Sequence, residues 1–268
     1  NYNYAGKYYL TGTVRRDGSS RFSEENRFGV FPSISAAWTL SEENFLKNSE
    51  TVSNLKVRAS YGELGSQNIG DYAFIPVLNI NSDAVFGSGQ VRVPGVSQTV
   101  FANPNLVWET SKTYNIGLDL SLFNNKLSIT ADYFDKKTED VLVSLRIPPT
   151  SGTNIPVPQN AASIKNNGLE LTATYSDNIG AVNFNFGGNL TFLSNEVLSL
   201  GENIAPITAG VGSTASQTLT DKGGQIASFY GFNVIGIYQT EAEIAADDNA
   251  DPNAEPGDFI YEDVDNSG

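Results

Sequence analysis

Residues 114–135 alternate apolar and polar side chains on both sides of two adjacent asparagines. Ahead of the pair, Ile116, Leu118, Leu120 and Leu122 alternate with Gly117, Asp119 and Ser121. Behind it, Leu127, Ile129, Ala131 and Tyr133 alternate with Ser128, Thr130 and Asp132. Asn124 and Asn125 are of the residue type that accepts the positive φ of a tight hairpin turn. Closing the hairpin there sets Leu122 against Leu127, Leu120 against Ile129, Leu118 against Ala131 and Ile116 against Tyr133. All the apolar residues then share one face and the small polar residues the other. The alternation recurs along the chain, and no helical pattern supplies a layer to cover the apolar face. A repeated hairpin of this kind predicts the wall of a transmembrane β-barrel.

The rest of the chain extends the pattern to seven strands and a truncated first one. Residues 1–4 read as the tail of a strand, turned by Ala5, Gly6 and Lys7. Tyr8, Leu10, Gly12 and Val14 share a face, as do Val30, Ile34, Ala36, Trp38 and Leu40, and then Leu55, Val57, Ala59 and Tyr61. Beyond the central hairpin come Leu169, Leu171, Ala173 and Tyr175, and then Val182, Phe184, Phe186, Leu190 and Phe192. Short connectors at 5–7, 124–125 and 176–180 alternate with long ones at 16–26, 65–108, 143–166 and beyond 195. The segment 41–54 is a longer member of the short set, with a short helix expected at 42–47 and Ser41 as its N-cap. Outer-membrane barrels sort their connectors in this way, with short periplasmic turns and long extracellular loops. The expected organisation is an all-β, antiparallel partial barrel over 1–268. Its strands and loops fill 1–195, and a long extracellular region with an acidic tail fills 196–268.

Composition excludes several classes of function. Lys and Arg total 16 against 30 Asp and Glu, a net charge of −14, so there is no basic footprint for nucleic acid. Cys and His are absent, which removes thiol chemistry and the commonest general base. No apolar run reaches the roughly 18–20 residues of a membrane-spanning helix, a test that barrel strands evade. Met is also absent, and both termini fall inside apparent structural elements. The chain is expected to be an internal piece of a longer protein.

Several phrases are more specific than periodicity. They are Arg15-Arg16-Asp17-Gly18-Ser19-Ser20-Arg21-Phe22, Phe31-Pro32-Ser33-Ile34-Ser35-Ala36-Ala37-Trp38 and Ser41-Glu42-Glu43-Asn44-Phe45. Leu55-Lys56-Val57-Arg58-Ala59-Ser60-Tyr61-Gly62 and Asn103-Pro104-Asn105-Leu106-Val107-Trp108-Glu109-Thr110 follow. Tyr114-Asn115-Ile116-Gly117-Leu118-Asp119 and Asn166-Asn167-Gly168-Leu169-Glu170-Leu171 complete the set. In this order they resemble the SusC/RagA family of TonB-linked outer-membrane transporters of Bacteroidota. Two small departures are Asn166, where a Lys is common, and a final Asp265-Asn266-Ser267-Gly268 where the family often has Asn-Gly-Asp-Gly. The resemblance implies a segment from the C-terminal half of a 22-stranded, plugged barrel. It further implies a SusD-like surface lipoprotein as partner, energy from TonB through a plug that this chain lacks, and oligosaccharide or peptide cargo. A passive porin wall and a soluble glycan-binding β domain are the alternatives.

Candidate site residues can be named against their plainer readings. Tyr72, Phe74, Phe86 and Phe101 could stack on sugar rings, or pack within their loop or against a lipoprotein lid. Asp263, Asp265 and Ser267 have the alternate spacing of an oxygen-ligand calcium loop, against the reading of a solvated acidic loop. No other cofactor is expected. Asp119, Asp132 and Glu170 on neighbouring polar faces read as a hydrated lumen wall balanced by Lys56, Arg58 and Lys126, not as a catalytic acid pair. Trp38, Tyr61, Tyr133, Tyr175 and Phe192 read as an aromatic belt facing outer-membrane lipid. No enzymatic activity is expected.

Overall fold

The computed structural model describes residues 1–145, 150, 155–201, 205–210 and 217–264. It begins with β1 (Tyr2–Tyr4), β2 (Tyr8–Gly18), β3 (Phe28–Thr39) and β4 (Val52–Ser66). The next connector holds four short strands, β5 (Val77–Asn79), β6 (Ala84–Phe86), β7 (Val91–Val93) and β8 (Ser97–Val100). Then come β9 (Glu109–Leu122), β10 (Leu127–Leu145), β11 (Val157–Ile179) and β12 (Val182–Ser199). The remainder carries β13 (Ile207–Ala209), β14 (Thr218–Thr220), β15 (Ser228–Phe229), β16 (Val234–Ile237), α1 (Glu241–Ala246) and β17 (Phe259–Tyr261).

One sheet of eight strands dominates, in the order β1-β2-β3-β4-β9-β10-β11-β12. Every neighbouring pair is antiparallel, so the sheet is a meander. The register of the central hairpin is the one its sequence predicts, with Leu122 opposite Leu127, Leu120 opposite Ile129 and Leu118 opposite Ala131. Asn124 and Asn125 take φ of 54° and 64°, and the Lys126 N–H closes the turn on the Phe123 carbonyl at 3.3 Å. Neighbouring strands bring their own apolar residues to the same face. One row across the sheet runs Val57, Leu118, Ala131, Leu171 and Leu190.

That face is not a protein core. Ile116 is 61 % exposed, Phe186 68 % and Leu190 53 %. The buried clusters lie elsewhere. Phe22, Phe31, Ile69, Leu106 and Trp108 form one, and Ala162, Val197 and Leu200 the other. No helix of the described residues is long and apolar enough to cross a membrane.

The chain divides into two compact units, Asn1–Ala205 with Asp221–Gln225, and Pro206–Thr220 with Ile226–Gly268. The second unit holds the sheet β13-β14-β15, the hairpin β16-β17 and α1. Thr240 caps α1 by accepting from the Glu243 N–H at 3.3 Å. Nearby, Tyr238 is buried and donates its hydroxyl to Asp247 at 2.5 Å. This bond pushes the Tyr238 phenol up to about 12 and holds the Asp247 carboxyl below its usual range.

Three local readings differ from the sequence expectation. Of the loop expected at 143–166, the described residues are largely strand, because β10 runs to Leu145 and β11 starts at Val157. Pro158 is tolerated there since β11 above Ser163 pairs with β10 alone, leaving one side of the strand without a ladder. The helix expected at 42–47 is instead a single 3₁₀ turn at Leu40–Glu42, and Thr39, not Ser41, precedes it without a side-chain cap. The 65–108 connector is not featureless: β5 pairs with β8 and β6 with β7, forming a nested hairpin arm.

Candidate functional site

The polar face of the sheet is built around an arginine that crosses a strand. Arg58 on β4 is directly opposite Gly117 on β9, and Gly117 is directly opposite Asp132 on β10. With no side chain on Gly117, the guanidinium reaches over β9. Arg58 Nε and Nη2 meet the two oxygens of Asp119 at 2.8 and 3.1 Å, and Nη2 meets Asp132 at 3.0 Å. A methyl at Gly117 would lie 2.5 Å from Asp132 Oδ1 and 2.6 Å from Arg58 Cζ. Beside this network the Lys56 ammonium sits 4.8 Å from the Tyr9 ring centre. Hydroxyls and amides of Thr11, Ser35, Ser60 and Asn115 line a shallow hollow next to it. The surface is charged and polar, with Arg58 bridging two of its carboxylates and Glu170 directly opposite Asp132, which suits a hydrated wall. Of the three cations expected to balance it, Lys126 stands apart, in the β9–β10 turn, where it pairs with Asp177 at 2.8 Å.

At the end bearing the long connectors, loop residues pack against the ends of the strands. The Phe31 ring lies over backbone, in the space that a methyl on Gly65 or Gly29 would need. Trp108 packs on Phe22 at 5.1 Å and edge-on to Phe31 at 5.6 Å. Asn160 of β11 secures the approach to β9. Its side chain accepts from the Val107 N–H at 3.0 Å, returns a bond to the Val107 carbonyl at 2.9 Å, and donates to the Asp140 carbonyl at 2.7 Å. Asp140 has φ 55° where the β10–β11 register shifts. Sequence reading missed Asn160 because it placed this residue in a loop.

The apolar face ends in aromatic residues at both edges. Near the short turns, Tyr4, Tyr8 and Trp38 stack at 6.4 and 6.0 Å, and Tyr175 meets Phe184 at 6.1 Å. Near the long connectors, Tyr61 and Tyr114 meet at 4.7 Å. The lower aromatics are tied to the 40–51 connector. The Glu43 carboxylate accepts from Tyr8 OH at 2.6 Å, Lys7 Nζ at 2.9 Å and Trp38 Nε1 at 3.2 Å. Those bonds, Tyr8's foremost, hold the Glu43 carboxyl down at about 2.

The loop aromatics occupy different places. Tyr72 and Phe74 form a ring pair at 6.4 Å, Phe86 stands exposed at the end of β6, and Phe101 is half-buried beyond β8. Tyr72 holds a φ of 58°, a conformation that a non-glycine residue seldom adopts. Asp263 accepts from Asn249 Nδ2 at 3.4 Å, whereas Asp265 and Ser267 lie outside the described residues. Among the described residues no three acidic side chains gather as a metal site.

An uncovered apolar face, opposite a polar, charge-bridged one in an eight-strand meander, agrees with the comparisons to known proteins. Residues 1–257 match the model of the family described as TonB dependent receptor-like, beta-barrel. The chain belongs to this family. TonB-dependent receptor P3 of Formosa agariphila is 38 % identical across the whole chain, and TonB-dependent receptor SusC of Bacteroides thetaiotaomicron is 36 % identical over 75 % of it. Among solved structures, the RagAB peptide importer in its open-open state aligns over 89 % of the chain with a TM-score of 0.76 and 27 % identity. The chain spans 27 % of P3, 20 % of SusC and 25 % of the RagAB chain, so it corresponds to a portion of a TonB-dependent barrel. An eight-strand meander in which, among the described residues, β1 and β12 each pair with one neighbouring strand is the form that such a portion takes. In lipid those edges must find partner strands, because unpaired backbone groups there cost several kcal/mol each.

Proposed function

We propose that this segment forms part of the wall of an outer-membrane importer that brings nutrient oligomers into the cell. Oligosaccharide is the proposed cargo, with peptide, the cargo of the RagAB importer, as the alternative. The importer works with a SusD-like surface lipoprotein and draws energy from TonB, and it performs no chemistry on its cargo. One observation carries the reading. Arg58, Asp119 and Asp132 form a closed charge network on the face opposite the leucines, so one side of the wall suits water and the other lipid. Tyr72 and Phe74 are proposed as stacking surfaces for cargo arriving at the extracellular end, with Phe86 and Phe101 as further contacts.

The test uses a strain carrying the intact gene. Uptake of labelled oligosaccharide should require the gene, its lipoprotein partner and TonB. Uptake that survives loss of TonB would identify a passive pore. Recovery of the protein in the soluble fraction without detergent would overturn the membrane reading.

A further inference from the structure

The polar face of the sheet is sorted by height. Two rows near the end that bears the long connectors carry no carboxylate. In the upper row Thr13, Ser33, Gly62 and Thr113 lead to Lys136, which is followed by Asn166 and Asn195. In the row beneath, Thr11, Ser35, Ser60 and Asn115 lead to Phe134, and then to Gly168 and Leu193. Asp132 and Glu170 share the next row down, and Asp119 lies lower still. Six strand spacings of about 4.8 Å make this belt about 29 Å wide. A hollow of about 480 Å³ opens at its β2–β4 end, among Thr13, Ser33, Ser35, Ser60 and Thr113.

Two features set the belt apart from a plain hydrated wall. The first is Lys136. Of the other cations on this face, Arg15 pairs with Asp17 at 2.8 Å, Arg58 bridges Asp119 and Asp132, and Lys56 lies over the Tyr9 ring. Among the described residues Lys136 has no ion-pair partner, and it is exposed. Asp132 stands four residues below it on β10, about 14 Å away and beyond the screening length of physiological salt. Glu109, four residues above Thr113 on β9, accepts from the Leu142 N–H at 3.3 Å. The second feature is an apolar step. Phe134, half-buried against Gly168, and Leu193, 65 % exposed, stand on either side of that glycine. Lys136 is two residues from Phe134 on the same face, so the ammonium rises about 7 Å above the step. Lys136 is also nine residues above Leu127. At about 3.4 Å per residue and a strand tilt of about 40°, that is about 23 Å, near the top of an apolar band about 25 Å tall. The belt therefore lines the extracellular mouth of the wall.

We propose that this belt receives an oligosaccharide that carries anionic groups, carboxylate or sulfate ester. Phe134 and Leu193 take the C–H face of a sugar ring, and Lys136 pairs with the anionic substituent of that ring. The hydroxyls and amides of the two rows exchange hydrogen bonds with the sugar hydroxyls. A wall of hydroxyls alone suits any sugar; an unpaired ammonium with no carboxylate inside its screening length selects a charged one. The proposal deepens the importer reading and rests on it.

The test measures uptake by a strain carrying the intact gene, with surface amounts of each variant matched. Two pairs of labelled probes are compared: an oligogalacturonide with its methyl ester, and a sulfated galacto-oligosaccharide with its desulfated form. Within a pair the charged group is the difference. Lys136→Gln should raise the half-saturating concentration of the charged member about fivefold and leave the neutral member unchanged. Lys136→Arg, which keeps the charge, should behave as the parent. The pair that responds identifies the anion. Leu193→Ser removes apolar surface and no charge, so it should weaken both members of that pair alike. Lys126→Gln, in the turn at the opposite end, should match the parent. Equal effects of Lys136→Gln on charged and neutral members would overturn the proposal. So would a parent that imports neutral oligosaccharide or peptide and rejects both charged probes, an outcome that leaves the importer reading standing. Uptake of every probe at the same rate without TonB would instead sink the importer reading itself.

Discussion

The substitution Gly117→Ala tests whether the arginine bridge holds the wall together. The new methyl would lie 2.5 Å from Asp132 Oδ1 and 2.6 Å from Arg58 Cζ, nearer than real carbon contacts allow. The backbone of a central strand cannot move far, so the guanidinium must. Three charge-assisted hydrogen bonds are then strained or lost. Each is worth about 1.5–3 kcal/mol when well shielded. Here Arg58 and Asp119 are about one-third exposed, and solvent screening brings the combined loss to about 2 kcal/mol. Alanine in a strand recovers about 0.5–1 kcal/mol of backbone entropy relative to glycine. The net cost should be about 1–1.5 kcal/mol.

The same change in an Arg58→Ala background should reverse sign. With the guanidinium gone, the Asp132 carboxylate is released and can rotate away from the methyl, so the backbone gain dominates and Gly117→Ala should stabilise by up to about 0.5 kcal/mol. The assay is urea unfolding of the membrane-reconstituted protein, followed by fluorescence of Trp38 and Trp108. An equal destabilisation in both backgrounds would show that Gly117 is required for backbone reasons and that the bridge contributes nothing.

Other perturbations address the two faces and the turns. Leu120→Arg should destabilise by about 2–4 kcal/mol and Ser121→Arg by under about 1 kcal/mol, as read by urea midpoints; equal costs would mean that neither face meets lipid. Phe31→Ala, which empties a buried aromatic site, should cost about 3–5 kcal/mol, whereas Val30→Ala beside it should cost far less, as judged by melting temperatures. The Glu43 carboxyl is depressed when folded, so its contribution is full above about 4.5 and disappears as pH falls towards about 2. Unfolding rates should rise over that interval in the parent protein and less steeply in Glu43→Gln; parallel profiles would exclude the carboxylate. Millimolar calcium should protect residues 258–268 from proteolysis if the oxygen spacing of Asp263, Asp265 and Ser267 serves a cation, and Asp263→Asn should abolish that protection.

Periodicity made the wall legible. Side-chain alternation has a period of two, and a hairpin with asparagines at its turn fixes register to the residue, so Leu120 could be placed opposite Ile129 without coordinates. Aromatic residues at Trp38, Tyr61 and Tyr175 marked the edges for the same reason. Where the backbone departs from a plain ladder, alternation carried no signal. Pro158 and Asn160 look like loop residues, yet they extend β11, because β12 has by then left its side and the Asn160 amide replaces ladder bonds. The nested arm of β5 to β8 uses strands of only three or four residues, too short for a period to show. The belt around Lys136 was hidden differently. Lys136, Asn166 and Leu193 lie far apart in the chain, and only the register of three strands makes them neighbours.

The phrases that identify the family have a physical content that alternation lacks. A strand pattern states which face a residue occupies but not what may stand opposite it. Most polar-face positions carry small residues, and some of the large side chains of the sheet take space over a glycine on a neighbouring strand. Arg58 requires Gly117, Phe31 requires Gly65, and Phe134 lies against Gly168. The partners in the last two pairs are 34 residues apart, and those in the first are 59 apart. Neither half of a pair can change alone without a clash or a cavity. Such pairs constrain the sequence more tightly than the exchangeable leucines of the lipid face, where any apolar side chain of similar size serves. The Gly117 phrase and the Arg58 phrase are therefore two ends of one contact, recorded in the chain as separate motifs. The polar wall is held by their coupling, and neither motif holds it alone.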